Sequence, residues 1–556
     1  MNNNEIADNF SLLAKLMDIH GENSFKAKSY SIAAFHIEKL TVQINTVEQT
    51  KIQSLKNIGA SSAKKIIELL DTGKLQQLEE IIINTPKGVI EMLQIKGIGP
   101  KKINIIWKEM GLETVGELLY ACKENRLKLY KGFGEKTQQG VLESIEFIER
   151  NKGHFLYAQI IFGAEQFVIY LQKTFVGKDV LVTGEFARQL EIITQLEFIV
   201  KEKLETIEEK LSVQNGLTFI EKENDFISYK TVIGIIVKIF AAENNFVEKY
   251  IETSSSETFY AALQQNHATE MVAKNEAEYF STRKITNVPA YLREDAERIG
   301  KNIQISPKLE PTDVKGLIHC HSTWSDGNNT IEEMAMACIE RGLEYMVISD
   351  HSKTASYAQG LNEEQIKAQH AQIDELNIKI APFKIFKSIE SDILGDGSLD
   401  YSDAILSTFD LVIASVHSNL KMTEEKAMAR LLVAIENPYT TILGHPTGRL
   451  LLSRPAYPLD FKKIIDTCAA NNVVIELNAN PNRLDIDWRE IKYALEKNVL
   501  ISINPDSHSI TGIDDIKYGV YAAQKAMLAK EQNLSSFSLV EFEAFLAERK
   551  SKKMLL

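Results

Sequence analysis

The chain has 556 residues with 63 basic and 76 acidic side chains, for a net charge of −13 at pH 7. That length leaves room for three or four domains, each able to bury its own core. The composition is that of a large soluble enzyme, and no membrane span or secretory leader is expected. Apolar stretches such as Val232 to Ala242 are short and broken by charge, and the opening Met-Asn-Asn-Asn-Glu is neither basic nor apolar. Cys122, Cys320, Cys338 and Cys468 lie far apart without paired spacing, which fits a reducing cytoplasm. The acidic balance argues at first sight against a nucleic-acid partner, but whole-chain charge is a poor guide when binding is local.

From the N-terminus, the first signal is a repeat. Leu55-Lys-Asn-Ile-Gly59, Ile95-Lys-Gly-Ile-Gly99 and Tyr130-Lys-Gly-Phe-Gly134 share an apolar-Lys-small-apolar-Gly order, and each opens a helical stretch. The second belongs to Lys96-Gly-Ile-Gly-Pro-Lys-Lys-Ile-Asn-Ile-Ile-Trp-Lys108, a basic island with four lysines and no acid. One such pattern fits an ordinary turn between helices; three in tandem look like helix-hairpin-helix modules. The glycines let such a hairpin expose backbone N–H groups beside a helix N-terminus, where aligned dipoles hold a phosphate without reading sequence. The candidate DNA contacts are Lys56, Gly59, Lys96, Gly97, Gly99, Lys101, Lys102, Lys131, Gly132 and Gly134.

Residues 155 to 300 contain three aspartates, Asp179, Asp225 and Asp295, and no Asp-x-Asp. The stretch Gly184-Glu-Phe-Ala-Arg-Gln-Leu-Glu-Ile-Ile-Thr-Gln-Leu-Glu-Phe-Ile-Val200 is followed by Gly234-Ile-Ile-Val-Lys-Ile-Phe240 and Thr253-Ser-Ser255. After Val288-Pro-Ala-Tyr-Leu-Arg-Glu-Asp295, Pro307 and Pro311 mark an extended segment.

The C-terminal part carries the densest chemistry. His319, His321, Asp326, His351, Glu390, His417, His445, Asp506 and His508 fall at the ends of apolar runs: Lys315 to Ile318, Tyr345 to Ser349, Phe383 to Ile389, Asp410 to Val416, Thr440 to Gly444 and Val499 to Asn504. These runs read as short buried strands, several of them followed by helix-like stretches. Ligands gathered where parallel strands end is the layout of a β/α-barrel site. In His319-x-His321 a strand would put both imidazoles on one face, and Asp506-x-His508 repeats the device. Cys320, between two of these residues, should face away. Nitrogen donors mixed with carboxylates suit zinc, manganese or iron rather than calcium or magnesium, and nine donors exceed what one ion needs.

His319-Cys-His-Ser-Thr-Trp-Ser-Asp-Gly327, Ser349-Asp-His-Ser352, Ile389-Glu-Ser-Asp-Ile393 with Asp396-Gly-Ser-Leu-Asp400, Ala414-Ser-Val-His-Ser418, Gly444-His-Pro-Thr-Gly-Arg449 and Asp506-Ser-His508 resemble the PHP (polymerase and histidinol phosphatase) domain, above all the version fused to bacterial family X DNA polymerases. The resemblance implies a distorted β/α barrel with a trinuclear manganese or zinc site that hydrolyses phosphoesters as a 3′-5′ exonuclease. By analogy Glu390 bridges two ions, with His319, His321 and Asp506 on one and His417 and His445 on the other, while Asp326, His351 and His508 hold the third. Glu390, Asp506 and Arg449 then form the catalytic set, and Arg449 and Arg483 are candidate phosphate clamps, though each could equally be a structural ion-pair residue.

The resemblance extends to the N-terminal half. Residues 4 to 40, with Asn23-Ser-Phe-Lys-Ala-Lys-Ser-Tyr30, are similar to the lyase-like opening of DNA polymerase beta relatives. Lys65 then stands where a Schiff-base lysine can occur, although Ser61 occupies an often basic position, so an exposed lysine steadying a phosphate is the simpler expectation. In the palm the chain departs from the family: Gln195 and Glu197 replace paired aspartates, Lys238 replaces a third, and Thr253-Ser-Ser255 replaces a Thr-Gly-Ser step. A lysine brings positive charge where two magnesium ions need negative charge.

The expected organisation is a lyase-like helical domain (1–80), a fingers-like hairpin region (81–150), a degenerate α+β nucleotidyltransferase-like palm and thumb (151–300), a linker (301–314) and a PHP barrel (315–556). The expected function is a cytoplasmic, DNA-directed, metal-dependent phosphoesterase with a repair role at primer termini, gaps or nicks. Three alternatives stay open: an active DNA polymerase, a small-molecule phosphatase of histidinol phosphate type, and a DNA-binding scaffold without catalysis. The sequence leaves the oligomeric state, the native metal and the preferred DNA structure undecided.

Overall fold

The computed structural model describes the chain apart from residues 41, 56–57, 213, 215, 267–272, 300–304, 306 and 554–556. It divides into two compact units, Met1–Lys152 and Gly153–Leu556. No helix among the described residues is long and apolar enough to cross a membrane.

The first unit is helical. Asn3–His20 begins in a reciprocal cap between Asn2 and Glu5 and stops at Gly21, which takes φ 70°. Its apolar face, with Ile6, Phe10, Leu13 and Met17, packs with Tyr30, Ala33 and Ile37 of the helix Ser24–Glu38 in the unit's core. Each repeated pattern runs straight into a helix: Gly59 precedes Ala60–Thr72, Gly99 precedes Pro100–Asn104, and Gly134 precedes Glu135–Asn151. Gly97 and Gly132 hold φ 92° and 91°, a conformation that costs other residues a Cβ clash.

The second unit opens with a five-stranded sheet. Its strands are β1 (Val180–Thr183), β2 (Gln195–Val200), β3 (Leu217–Lys222), β4 (Phe226–Thr231) and β5 (Ile236–Ala241), in the order β1-β2-β5-β4-β3. β2 and β5 are parallel, and the other neighbours are antiparallel. The helix Tyr157–Thr174 packs Ile160, Ala164 and Leu171 into the core that the sheet forms with Phe198, Val237 and Ile239.

Seven parallel strands then build the barrel: β6 (Gly316–Cys320), β7 (Tyr345–Ile348), β8 (Lys384–Asp392), β9 (Leu411–Ser415), β10 (Thr440–Leu443), β11 (Val474–Asn478) and β12 (Ile501–Asn504). They lie in chain order. The ring closes where Cys320 bridges Ser507, with the Ser507 amide donating to the His319 carbonyl at 3.2 Å and the His321 amide to the Ser507 carbonyl at 2.8 Å. Strands buried on both faces explain why the sequence shows unbroken apolar runs and not alternation. Six strands match the expected runs within a few residues. β11 was not foreseen, because its apolar run is interrupted by Glu476 and carries none of the candidate ligands. Of the expected linker, residues 301–304 and 306 lie outside the described residues, and Pro311–Asp313 form a 3-10 turn.

The sheet and the barrel are braced together. Arg489 pairs with Glu191 at 2.8 Å and Lys492 with Glu297 at 3.0 Å. The buried Lys525 ammonium donates to the Arg188 carbonyl at 2.6 Å.

Candidate metal centre

All nine candidate side chains meet at the C-terminal mouth of the barrel. Their donor atoms fall into overlapping groups, within each of which the atoms lie no more than 4.8 Å apart: His321, Asp326, His351 and His508; His319, Glu390 and His445; His319, His321 and Asp506; His351, Glu390 and His417. Glu390 is the hub. Its Oε1 lies 2.9 Å from His445 Nε2 and 3.0 Å from His417 Nε2, and its Oε2 lies 2.9 Å from His351 Nδ1. Glu390 Oε1 thus lies between His417 and His445, the pair that the resemblance places on one ion, and Oε2 lies beside His351.

Strand alternation is not what brings His319 and His321 together. β6 is irregular between Leu317 and Cys320, and His319 sits at φ 63°. Asp506 and His445 also lie in the left-handed region, at φ 53° and 22°. Non-glycine residues hold such backbone at a cost on the order of 1–3 kcal/mol each, and only where the surrounding structure enforces it. Cys320 does face away, its thiol donating to the Val347 carbonyl at 3.4 Å.

Several buried atoms in the cluster lack a hydrogen-bond partner: His319 Nε2, His321 Nδ1, His351 Nδ1 and Glu390 Oε2. Leaving such atoms unsatisfied is costly. The 2.9 Å between His351 Nδ1 and Glu390 Oε2 lacks hydrogen-bond geometry, yet such a gap suits two neighbours on an ion with bonds of about 2.0–2.1 Å. The residues therefore fit divalent metal.

Two carboxylates that the sequence reading gave no role stand behind the imidazoles. Glu476 on β11 is buried; its Oε1 lies 2.6 Å from His319 Nδ1 and its Oε2 accepts from the His445 amide at 2.6 Å. Asp392 on β8 pairs with His417 Nδ1. Carboxylates on the far ring nitrogen fix the tautomer that leaves Nε2 free. The available signal was a lone acid in the apolar run Val473-Val-Ile-Glu-Leu477 and the Glu390-x-Asp392 spacing on one strand.

Counting both, five carboxylates occupy a water-poor mouth. Burial penalises charge on the histidines, yet Glu390 and Asp392 lift His417 to about 10, and Asp326 and Asp506 lift His508 to about 9. His321, buried beside His508 and His351, falls to about 3. Against the same burial, His417, His319 and His351 hold Glu390 well below the usual carboxylate range. The centre is built to receive positive charge.

Arg449 is held by partners on a neighbouring loop. Its Nε donates to the Arg483 carbonyl at 2.9 Å, one terminal nitrogen pairs with Asp487 at 2.6 Å, and the other reaches the Leu484 carbonyl. These partners brace the loop, which is the structural ion-pair role that the sequence left open for this arginine. Arg483 does reach the centre, with Nε 3.8 Å from Asp506 Oδ2.

In the five-stranded sheet, Glu197 of β2 pairs in register with Lys238 of β5, and Gln195 Nε2 donates to Glu197 Oε1 at 2.7 Å. The Lys238 ammonium rests 3.6 Å from the Phe226 ring centroid. A side chain at Gly184 would meet Glu197 Oε2 at 1.6 Å, so this carboxylate packs against the backbone that follows β1. In the helical unit, Lys56 lies outside the described residues. Gly59, Gly99 and Gly134 have nothing within 4 Å of where a Cβ would stand, so packing within the chain does not demand glycine there. Lys96, Lys101 and Lys131 are exposed around these turns, while Lys102 reaches back to the Gly97 carbonyl at 3.1 Å. Lys65 lies 5.7 Å from the Tyr30 ring; burial lowers its pKa and Lys26 adds to the effect, whereas Glu68 opposes it.

Fold and site together define a multidomain barrel protein with a candidate metal centre and glycine-turned helical hairpins. Family models agree: residues 1–75 match a helix-hairpin-helix domain, 89–146 a SAM-like helix-hairpin-helix tandem, and 318–480 a PHP domain. The chain is 31% identical, over 98% of its own length and 99% of the relative's, to the DNA polymerase/3′-5′ exonuclease PolX of Bacillus subtilis strain 168. It therefore belongs to the PolX family. Over 42% of its length it is also 26% identical to a probable phosphatase of Thermoanaerobacter sp. strain X514, covering 95% of that protein.

Proposed function

We propose that the chain is a DNA-binding, divalent-metal-dependent phosphodiesterase that acts in the cytoplasm as a 3′-5′ exonuclease at primer termini, gaps or nicks. The observation that carries it is the convergence of nine nitrogen and oxygen donors, several with orphaned buried lone pairs, at the mouth of a barrel in a chain that also carries helix-hairpin-helix domains. His319, His321, Asp326, His351, Glu390, His417, His445, Asp506 and His508 would hold three manganese or zinc ions. When bound, such ions polarise a phosphoryl group and activate water as a nucleophile. Glu476 and Asp392 keep the protons of His319 and His417 on Nδ1. Arg483 is placed to meet a phosphate oxygen. Residues 1–80 and 81–150 supply sequence-independent grip through Gly59, Gly97, Gly99, Gly132, Gly134 and the lysines beside them, and Lys65 acts as a phosphate contact.

The named relative is also a DNA polymerase, which makes nucleotide addition the second reading. Against it stands the pairing of Glu197 with Lys238: one carboxylate and an ammonium, with a glutamine beside them, offer no shell for two magnesium ions. Residues 151–300 are therefore proposed as a retained scaffold. One gel tests both readings, using the full chain with Mn2+ on a 5′-labelled primer-template, with and without dNTPs. Stepwise shortening under both conditions is expected. Template-dependent extension would overturn the palm reading, and an inert chain would overturn the phosphodiesterase.

A further inference from the structure

We propose that Tyr357 is the platform on which the base of the terminal nucleotide stacks while its phosphate lies in the metal centre; the inference rests on the phosphodiesterase reading above. The ring stands one residue pair from the cluster, its centroid 6.3 Å from that of His351, and the residue is 70% exposed. The turn that carries it is anchored by buried alanines, while Ser356 beside it is exposed. Tyr357 sits in the single 3-10 turn Ser356–Ala358, and Ala355 and Ala358 on either side are 0% and 1% exposed.

This loop is tied to the centre at both ends. The Ser352 amide donates to the Glu390 carbonyl at 3.1 Å, and the Leu361 amide to the His351 carbonyl at 2.9 Å. The Thr354 hydroxyl donates to Asp392 at 2.8 Å, the same carboxylate that pairs with His417. The Tyr401 hydroxyl caps the Leu361 carbonyl. The loop folds back so closely that a Cβ on Gly360 would stand 1.7 Å from the Ser352 oxygen. Asp392, Glu390, Asp326 and Arg483 all lie near enough to act on the phenol, so the ring borders the mouth that holds the metal cluster and the candidate phosphate-binding arginine. An exposed aromatic side chain on an anchored loop has only two χ angles to fix and loses little freedom on binding. Every nucleobase offers a π face, so such a platform grips a strand end without reading its sequence.

The test uses the full chain with Mn2+ and a 5′-labelled single-stranded oligonucleotide ending in either 3′-thymidine or an abasic tetrahydrofuran residue. With the thymidine end, Tyr357→Ala is expected to raise KM by about 5- to 150-fold, the range for one base–aromatic stack, with a smaller change in kcat. Tyr357→Phe, which keeps the face and drops the hydroxyl, should track the wild type. With the abasic end the KM values of wild type and Tyr357→Ala should coincide. An equal KM penalty on both ends, a loss confined to kcat, or a Phe variant as weak as Ala would each overturn the stacking role. A wild type active on both ends beside an unchanged Ala variant would overturn this inference alone. A wild type that digests neither would overturn the phosphodiesterase reading and this inference with it.

Discussion

Glu476→Gln perturbs the centre without touching any of the nine donors. The carboxylate now accepts from Asn504 Nδ2 at 2.9 Å and faces His319 Nδ1 at 2.6 Å through Oε1, while Oε2 takes the His445 amide at 2.6 Å. An amide must put its NH2 at one of these two positions. Facing His445 it opposes a backbone donor in a buried site, at about 1–3 kcal/mol. Facing His319 it can be accommodated only if the imidazole proton moves to Nε2, the atom that looks into the cluster and has no other hydrogen-bond partner. The Asn504 amide can turn over to relieve its own clash, but the His319 tautomer cannot change without blocking a metal ligand. Loss of the negative charge behind the ring adds to this, and partners of this kind are typically worth about 10- to 100-fold in metal affinity. Titrating Mn2+ against phosphodiester hydrolysis, alongside thermal melting with and without metal, reads both effects. The expected outcome is an apparent metal Kd raised about 10- to 100-fold, activity largely regained at saturating metal, and a lower Tm. Wild-type metal affinity in the variant would refute the assignment of Glu476, and with it the placement of an ion on His319.

His321→Ala or Asp506→Ala is expected to abolish nuclease activity at any metal concentration while filter binding of DNA stays within about twofold, since each removes a ligand from the barrel and nothing from the hairpins. Replacing Lys96, Lys101 and Lys102 together with alanine should weaken DNA binding and make its dependence on log salt shallower by about two to three counterions, measured by fluorescence anisotropy across salt; an unchanged slope would move the DNA interface elsewhere. Lys525 tests the brace between sheet and barrel. Burial lowers its pKa to about 8 against the outweighed pull of Glu294 and Glu191. Above pH 8 the folded state has released a proton that the unfolded chain keeps until its ordinary value near 10.5. Stability contributed by this group therefore rises with pH across that window, by about 3 kcal/mol at most. The Tm gain of the wild type between pH 7.5 and 9.5 should exceed that of Lys525→Met; parallel curves would refute a charged, buried Lys525 at neutral pH.

The sequence by itself determined the chemistry of the centre and most of the frame. His319, His321, His351, Glu390, His417, His445, Asp506 and His508 were legible because each follows or ends an apolar run, and parallel strands of a barrel release their next residues at one rim. The hairpins were legible because Gly97 and Gly132 answer a local demand for positive φ, which is written in the sequence as glycine. What only the tertiary structure decided depends on partners distant in the chain. Glu476 gains its meaning from His319, 157 residues away. Arg449 reads by motif as either a phosphate clamp or an ion-pair residue, and its partners, Asp487 and two carbonyls on a neighbouring loop, are visible only in the fold. The left-handed backbone of His319, His445 and Asp506 defeats strand alternation, because barrel closure and the cluster itself hold those residues where local preference would not. Local rules place a side chain on an element; the direction it finally faces, and what neutralises it, is set by contacts that sequence spacing does not encode.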